Sequence, residues 1–500
     1  MQVSEWINTT IKPEENEKYL ESGQSFINED KLHKALANNT ESSKQEIRAI
    51  IEKAKTIQAL TIDETAKLLH VTDNDLWEEI NAAALEIKHK VYDNRIVFFA
   101  PLYCSNLCVN NCAYCGFRSE NKDEKRRILS IDEVKKETKY VLNSGHKRMI
   151  MVYGEHPKSD VDYMIKTINA VYSVEEKTPK SGRPTSIRRV NINASPMSVN
   201  DLKKLKACGI GTYQVFQETY HEKTYRKVHP QNTLKGDYNW RLYSLHRAQE
   251  AGIDDVAIGA LFGLYDWRFE VLGLVKHAAD LEKHFGVGPH TVSVPRLTPA
   301  IGSKLSTQSK YIVNDEDFKK LVAVLRLALP YPGLIITARE QPAIKREVIK
   351  LGCTQTDAST KIGIGAYQEC VDDETKSSEQ FTIGDPRSLD DIIKEVAKMG
   401  MISSFCTAGY RCGRTGDKIM GMLKHCVEGK FCKLNAVLTY REYLDDYASP
   451  ETKAIGEKLI EKEIGQIKNQ DFFMKNNGKI FNDFMRNYEQ IKGGARDIYI

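Results

Sequence analysis

The pattern of hydrophobic and polar positions changes character twice along this chain. The first 55 residues are polar and charged, with no run that reads as a strand. Thr61 and Glu64 then stand at capping-box spacing, and the stretch that follows reads as helices. Residues 1–90 are therefore expected to form an N-terminal helical extension that wraps the main body.

Short apolar runs rich in β-branched residues follow at 96–100, 149–153, 190–193, 213–216, 256–260, 291–294, 334–337 and 362–366. Helical segments separate them. Ser130 with Glu133 caps one helix, and Gly145 ends it; residues 198–207 and 241–251 form others, each soon followed by glycine. Eight strands alternating with helices predict an α/β protein, a TIM-type (β/α)8 barrel over residues 91–380. Beyond about residue 382 the alternation fades. A helix at 388–399, a second group of cysteines and a charged helical tail predict a mostly helical C-terminal module over 381–500.

Composition narrows the class. The chain has 500 residues, 41% hydrophobic and 28% charged, with a net charge of +4 spread without a basic block. This is ordinary for a globular protein and gives no footprint for nucleic acid. The start lacks a basic region followed by an apolar one, and no apolar run approaches the ~20 residues of a membrane span. A cytoplasmic protein with no membrane contact is expected. Eleven cysteines gather mainly at the two ends of the central region, which in a reducing compartment favours metal binding or catalysis over disulfides. Cys208, Cys353 and Cys370 stand apart and read as small core or surface residues.

The first group carries the chemistry. Cys108, Cys112 and Cys115 are spaced C-x3-C-x2-C on a loop directly after the first strand. Three thiolates can hold three irons of a [4Fe–4S] cluster and leave the fourth open to an exogenous ligand. The competing reading is structural zinc, with Cys104 as fourth ligand, although zinc usually takes two separated pairs. Polar residues recur just past successive strands or at the start of the next helix: Gly154 and Glu155, Asn193, Glu218 and Arg241. Each alone is an ordinary turn or cap. Their recurrence at the end of a barrel where catalytic groups collect is the signal. Arg296 and Arg339 also follow strands and could grip a carboxylate bidentately, with Glu340 as a structural partner for either.

These stretches resemble a known family. SNLCVNNCAYCGF, VYGEHP, INASPM, VFQETYHEKTY, AGIDDVAIGALFGLYDWRFEVLGLVKHA, GPHTVSVPRLTPA, SFCTAGYRCGRTGDKIM and AVLTYREYLDDYASPET are similar to the aromatic amino-acid lyases among radical S-adenosylmethionine (SAM) enzymes. The likeness is greatest to the tyrosine lyases of [FeFe]-hydrogenase maturation, over about residues 55–460. The resemblance implies a [4Fe–4S] cluster on the cysteine triad and SAM held by Tyr114, Gly154, Glu155, Asn193, Glu218 and Arg241. It implies L-tyrosine as substrate, cleaved between Cα and Cβ to p-cresol and dehydroglycine. It also implies a ferredoxin or flavodoxin as electron donor, and other hydrogenase maturation proteins as partners. In the maturation enzymes a second cluster, in the C-terminal module, takes dehydroglycine on to carbon monoxide and cyanide.

Here the sequence departs from the family. The second cluster uses C-x2-C-x22-C, and this chain offers Cys406 and Cys432 with Gly409 at the middle position. The cluster is then lost or partial, is rebuilt around Cys412 or Cys426, or the glycine is an engineered change. His277 matches a histidine that holds an extra iron in the family, but shares a helical face with Leu274 and Leu281 as a core residue would. Arg411, Arg414 and Lys418 read as a solvated or salt-bridged loop, or as an anion site. The alternatives to a full reaction are one that stops at dehydroglycine, a lyase for another aromatic amino acid, and an iron–sulfur scaffold without activity.

Overall fold

In a computed structural model, which describes residues 3–368 and 379–500, nine parallel strands form one sheet. They are β1 (Arg95–Ser105), β2 (Arg148–Tyr153), β3 (Arg189–Asn193), β4 (Tyr213–Gln214), β5 (Val256–Gly259), β6 (Thr291–Ser293), β7 (Gly333–Ile336), β8 (Gln355–Asp357) and β9 (Ile402–Ser404). The first eight pair in sequence order, and β8 returns to β1 through Val97↔Gln355, Phe98↔Thr356 and Phe99↔Asp357. The ring closes as the expected eight-stranded barrel. β9 lies outside it, added to the start of β1 at Arg95↔Ile402. Cys370 lies outside the described residues.

The strands form because they are covered on both faces. All eleven residues of β1 are buried, as befits a parallel strand between packed interior and outer helices. Phe99, Ile150 and Ile335 meet inside the barrel and make an apolar floor. Polar residues at the strands' C-terminal ends then rise above that floor.

The eighth strand is a correction. It is Gln355–Asp357, whereas residues 362–366 form a turn. The run at 362–366 is apolar because it is buried, and its two glycines allow it to fold back. The true strand is short and polar, and becomes a strand because the gap between β7 and β1 must be bridged. The helix expected over 241–251 is two short ones, Tyr238–Leu242 and Ser244–Glu250.

The flanking segments are helical as read. Ser43 with Glu46, Thr61 with Glu64 and Ser130 with Glu133 each close a reciprocal capping box. The N-terminal segment ends in the helix Asn74–Tyr92, which packs on Asp315–Ala328 and delivers the chain into β1. At the other end Leu389–Lys398, Glu428–Asp446, Pro450–Lys468 and Asp471–Lys492 pack together, and Glu428–Asp446 leans on β9. Among the described residues no helix is long and apolar enough to cross a membrane.

Candidate active site

The barrel encloses a cavity of about 200 Å³ above its apolar floor. Cys108, Cys112 and Cys115 line one end, with Tyr114, Gly154, Glu155, Asn193, Glu218, Arg241 and Arg339 around it. The cysteine loop is tied to the ends of β1 and β2. Gly154 N–H donates to Ser105 O at 2.8 Å, and Val109 N–H donates to Glu155 O at 2.8 Å. A Cβ on Gly154 would stand 2.1 Å from Leu107 O, so only glycine allows this approach.

The thiols suit a cluster better than a single ion. Sulfurs bound to one tetrahedral zinc at ~2.3 Å sit about 3.8 Å apart. Among the described residues, the one trio of potential ligand atoms within 4.8 Å of one another is His246, Asp280 and His284, not these cysteines. Cys104 does not join them: it is fully buried in β1, its sulfur 3.8 Å from Leu102 O. Burial pushes the Cys108 thiol up to about 11 and also raises Cys112 and Cys115, while Lys235 pulls the latter two back. Loading iron must therefore displace three protons.

A compact ion network stands beside the thiols. Arg241 Nη1 donates to Glu155 Oε1 at 3.0 Å, and Nη2 reaches Glu218 Oε1 at 3.4 Å. Lys235 Nζ donates to the same Glu218 oxygen at 2.6 Å, and Asn110 Nδ2 to Glu155 Oε2 at 2.6 Å. Burial would raise the Glu218 carboxyl, but Lys235 and Arg241 outweigh it and hold it below its usual range. Glu218 has φ +71°, a left-handed backbone that costs a non-glycine residue on the order of 1–3 kcal/mol. Tyr114 packs with Cys112, Leu261 and Leu297, and its hydroxyl meets His229 Nε2 at 2.8 Å.

The two arginines separate. Arg296 binds Glu340 through Nε at 2.9 Å and Asp315 through Nη1 at 2.8 Å, and none of the three lines the cavity. Arg339 does line it. Its guanidinium stacks 3.4 Å over Phe381 and donates to Thr298 Oγ1 at 2.9 Å, and among the described residues it has no carboxylate partner. Sequence reasoning missed Asn110, Lys235 and Gln380, whose Nε2 stands 3.8 Å from Cys115 Sγ. Asn110 lay inside the motif and was within reach; Lys235 and Gln380 carried no local signal.

Known proteins share this arrangement. Residues 102–272 match the radical SAM superfamily, and residues 293–402 match the biotin and thiamin synthesis associated domain. The chain is 43% identical to a HydG, a maturase of the [FeFe]-hydrogenase; that crystal structure covers 95% of this chain and is itself covered completely, with a TM-score of 0.88. It belongs to the HydG family. HydG from Carboxydothermus hydrogenoformans is 35% identical over 97% of this chain and 100% of its own, with a TM-score of 0.75. The 2-iminoacetate synthase of Escherichia coli (strain K12) is 29% identical over 358 residues, 71% of this chain and 89% of that protein.

The C-terminal site of this HydG-family chain is small. Cys406 and Cys432 line a cavity of about 10 Å³ with Arg95, Gly409, Asn435 and Thr439, room for about one water. Arg95 Nη1 donates to Cys406 Sγ at 3.5 Å. Hydrogen bonding from Cys432, with Arg95, Arg148 and His290 nearby, holds the Cys406 thiol well below its usual value. Cys412 and Cys426 are partly exposed and do not line this cavity. His277 does not either: it is buried, with Nδ1 2.9 Å from Tyr220 OH. His290, which the sequence reading passed over, is the histidine whose charge acts on Cys406, and it too lies outside this cavity. Arg411 is bound to Asp497, and Arg414 donates to Ile500 O. Two thiols, a glycine and so little space do not fit a [4Fe–4S] cluster.

Proposed function

We propose that this enzyme cleaves the Cα–Cβ bond of L-tyrosine to p-cresol and dehydroglycine. The observation that carries the reading is one cavity holding three thiols, the Glu155–Arg241–Glu218 network and the Arg339 guanidinium. Cys108, Cys112 and Cys115 hold the cluster; Tyr114, Gly154, Glu155, Asn193, Glu218 and Arg241 hold SAM. When bound, the two supply a hydrogen-abstracting adenosyl radical, fed by an electron from a ferredoxin or flavodoxin.

The chain's own residues bind and orient. Arg339 grips the substrate carboxylate; burial disfavours its charge and lowers its pKa, and an arriving carboxylate supplies the counter-ion that offsets this. Lys235 and Arg241 hold the Glu218 carboxyl below its usual range, and Glu155 pairs with Arg241, so both stand at the cavity as acceptors for an ammonium. Gln380 stands against Cys115 and Phe381 against Arg339, so these two neighbours bound the reacting end.

The reaction ends at dehydroglycine in this reading. Onward formation of carbon monoxide and cyanide for the hydrogenase cofactor depends in the family on the second cluster, and Gly409 with a cavity of about 10 Å³ argues against one here. A cluster rebuilt around Cys412, and a cavity for another aromatic amino acid, are the competing readings.

One assay separates them. Anaerobically reconstituted protein, SAM and dithionite are incubated with and without L-tyrosine, and 5′-deoxyadenosine, p-cresol, glyoxylate, cyanide and carbon monoxide are measured. The expected pattern is tyrosine-dependent deoxyadenosine, p-cresol and glyoxylate, with little cyanide or carbon monoxide. No SAM cleavage leaves an inactive scaffold; cleavage without p-cresol removes the tyrosine assignment.

A further inference from the structure

We infer that Asp357 receives the phenolic hydroxyl of the substrate and so sets which aromatic ring the cavity takes. This rests on the tyrosine reading above and names the group that reads the far end of the molecule.

Asp357 ends β8, in register with Phe99 of β1. It lines the cavity and is 6% exposed. Phe99, its partner on β1, forms the apolar floor with Ile150 and Ile335, and all three line the same cavity. A carboxylate set into that floor is out of keeping with it unless a donor arrives. One oxygen is served: Thr360 Oγ1 donates to Oδ2 at 2.9 Å. The other, Oδ1, is buried with no hydrogen-bond partner among the described residues. A buried acceptor left so costs on the order of 1–3 kcal/mol, which a ligand hydroxyl would remove.

Among the described residues no cation claims that oxygen. Lys345 is the nearest, but its ammonium is committed to Asp385 Oδ2 at 3.1 Å and touches only the Asp357 backbone carbonyl, at 3.4 Å. The Ala338 amide also faces the carboxyl group, yet burial prevails and raises its pKa. A hydroxyl is the better partner for such a group than a second charge.

The layout suits an aromatic amino acid. Thr356 pairs with Ile336, so Asp357 lies level with Thr337. Arg339 is two residues further on, in the turn that Glu340 N–H closes onto Thr337 O at 3.2 Å, and it lines the same cavity as Asp357. A substrate held by its carboxylate at Arg339 would extend its ring into the cavity that Asp357 also lines. A phenol puts its donor there. A phenyl ring leaves Oδ1 unpaired, and sites built to bind a hydroxyl reject analogues that lack it.

The test is binding, then turnover. Cluster-reconstituted protein with SAM and no reductant is dialysed to equilibrium against labelled L-tyrosine or L-phenylalanine. The unmodified protein should bind L-tyrosine at least about 10-fold more tightly than L-phenylalanine. Asp357→Leu should weaken L-tyrosine by about 10- to 100-fold and leave L-phenylalanine unchanged or tighter. Asp357→Asn, whose amide oxygen still accepts, should fall between. An unmoved ratio, or equal loss of both ligands, overturns the assignment. If Asp357→Leu does not fold, the ratio on the unmodified protein decides: equal affinities overturn it. With dithionite added, p-cresol from the unmodified protein alongside an unmoved ratio removes Asp357 alone. No p-cresol at all removes the tyrosine reading, and this inference with it.

Discussion

Arg241 donates to Glu155 across 3.0 Å, with the two side chains only 6% and 10% exposed. The same guanidinium reaches Glu218, and its Nε donates to Phe216 O at 2.6 Å. This one cation is thus shared between two buried carboxylates, with Lys235 as the second charge on Glu218, and it ties down the backbone just past β4. Arg241→Met keeps the bulk and removes the charge. Breaking a buried pair from one side costs about 3–5 kcal/mol, because the partner charge stays behind. Urea unfolding of the cluster-free protein should show a loss of this order, and Glu155→Gln in the same background should recover part of it. An unchanged midpoint would show that the network contributes nothing to the fold.

Glu270 gives the barrel a pH dependence. It is fully buried on the helix Trp267–Phe285, accepts from Thr219 Oγ1, and accepts from Tyr220 N–H at 2.8 Å. Burial pushes its carboxyl up to about 8, against an ordinary 4.5. The folded state therefore binds more protons than the unfolded chain between those values, and stability falls as pH rises through that window. At pH 7 the loss relative to pH 4 is on the order of 3 kcal/mol. Glu270→Gln should remove it, raising the melting temperature at pH 8 and hardly at all at pH 4.5. Parallel melting curves for the two proteins across this range would refute the assignment.

What the sequence revealed, and what it did not, divides along physical lines. The cysteine triad, Tyr114, Glu155 and Glu218 were legible because each follows closely on a strand, and Arg241 because it starts the helical run read over 241–251; all line one cavity. The barrel was legible in seven strands because buried parallel strands are apolar runs. β8 was not, because Gln355–Asp357 is polar and owes its conformation to ring closure. Lys235 and Asp357 were invisible for a related reason: their surroundings come from residues more than a hundred positions away, Asn110 for Lys235 and Phe99 for Asp357. Arg296 and Arg339 looked alike in sequence. Only packing shows that Glu340 and Asp315 hold the first, while the second faces the cavity.

Gly409 decides the C-terminal site. With Cys406 and Cys432 alone, the reconstituted protein should carry about four irons per chain, one [4Fe–4S] cluster. Gly409→Cys supplies the third thiol of the family spacing. Iron content should rise above one cluster, towards eight in a full second one, and cyanide should appear among the products of tyrosine. Cys412→Ser should change neither number in the unmodified protein. Two full clusters in the unmodified protein, lost on Cys412→Ser, would instead show that Cys412 replaces the missing ligand.

Gly154 tests how closely the cysteine loop must lie against the end of β2. Its amide donates to Ser105 O, and the next residue's carbonyl accepts from Val109, so the loop is stitched to β2 on both sides. An added methyl would stand 2.1 Å from Leu107 O and 2.9 Å from Leu107 C, backbone atoms that cannot rotate aside. The loop must then move as a unit, and Cys108 moves with it. Gly154→Ala should lose about 1–3 kcal/mol of stability, as overpacking does. It should also hold less iron after reconstitution than the unmodified protein, measured by cluster absorbance and iron analysis. Gly145→Ala is the control: it is crowded by Tyr443 and has φ +99°, yet lies away from the thiols. It should lose stability while keeping its iron. Equal iron in both variants would mean that the loop tolerates displacement and that its contact with β2 does not position the triad.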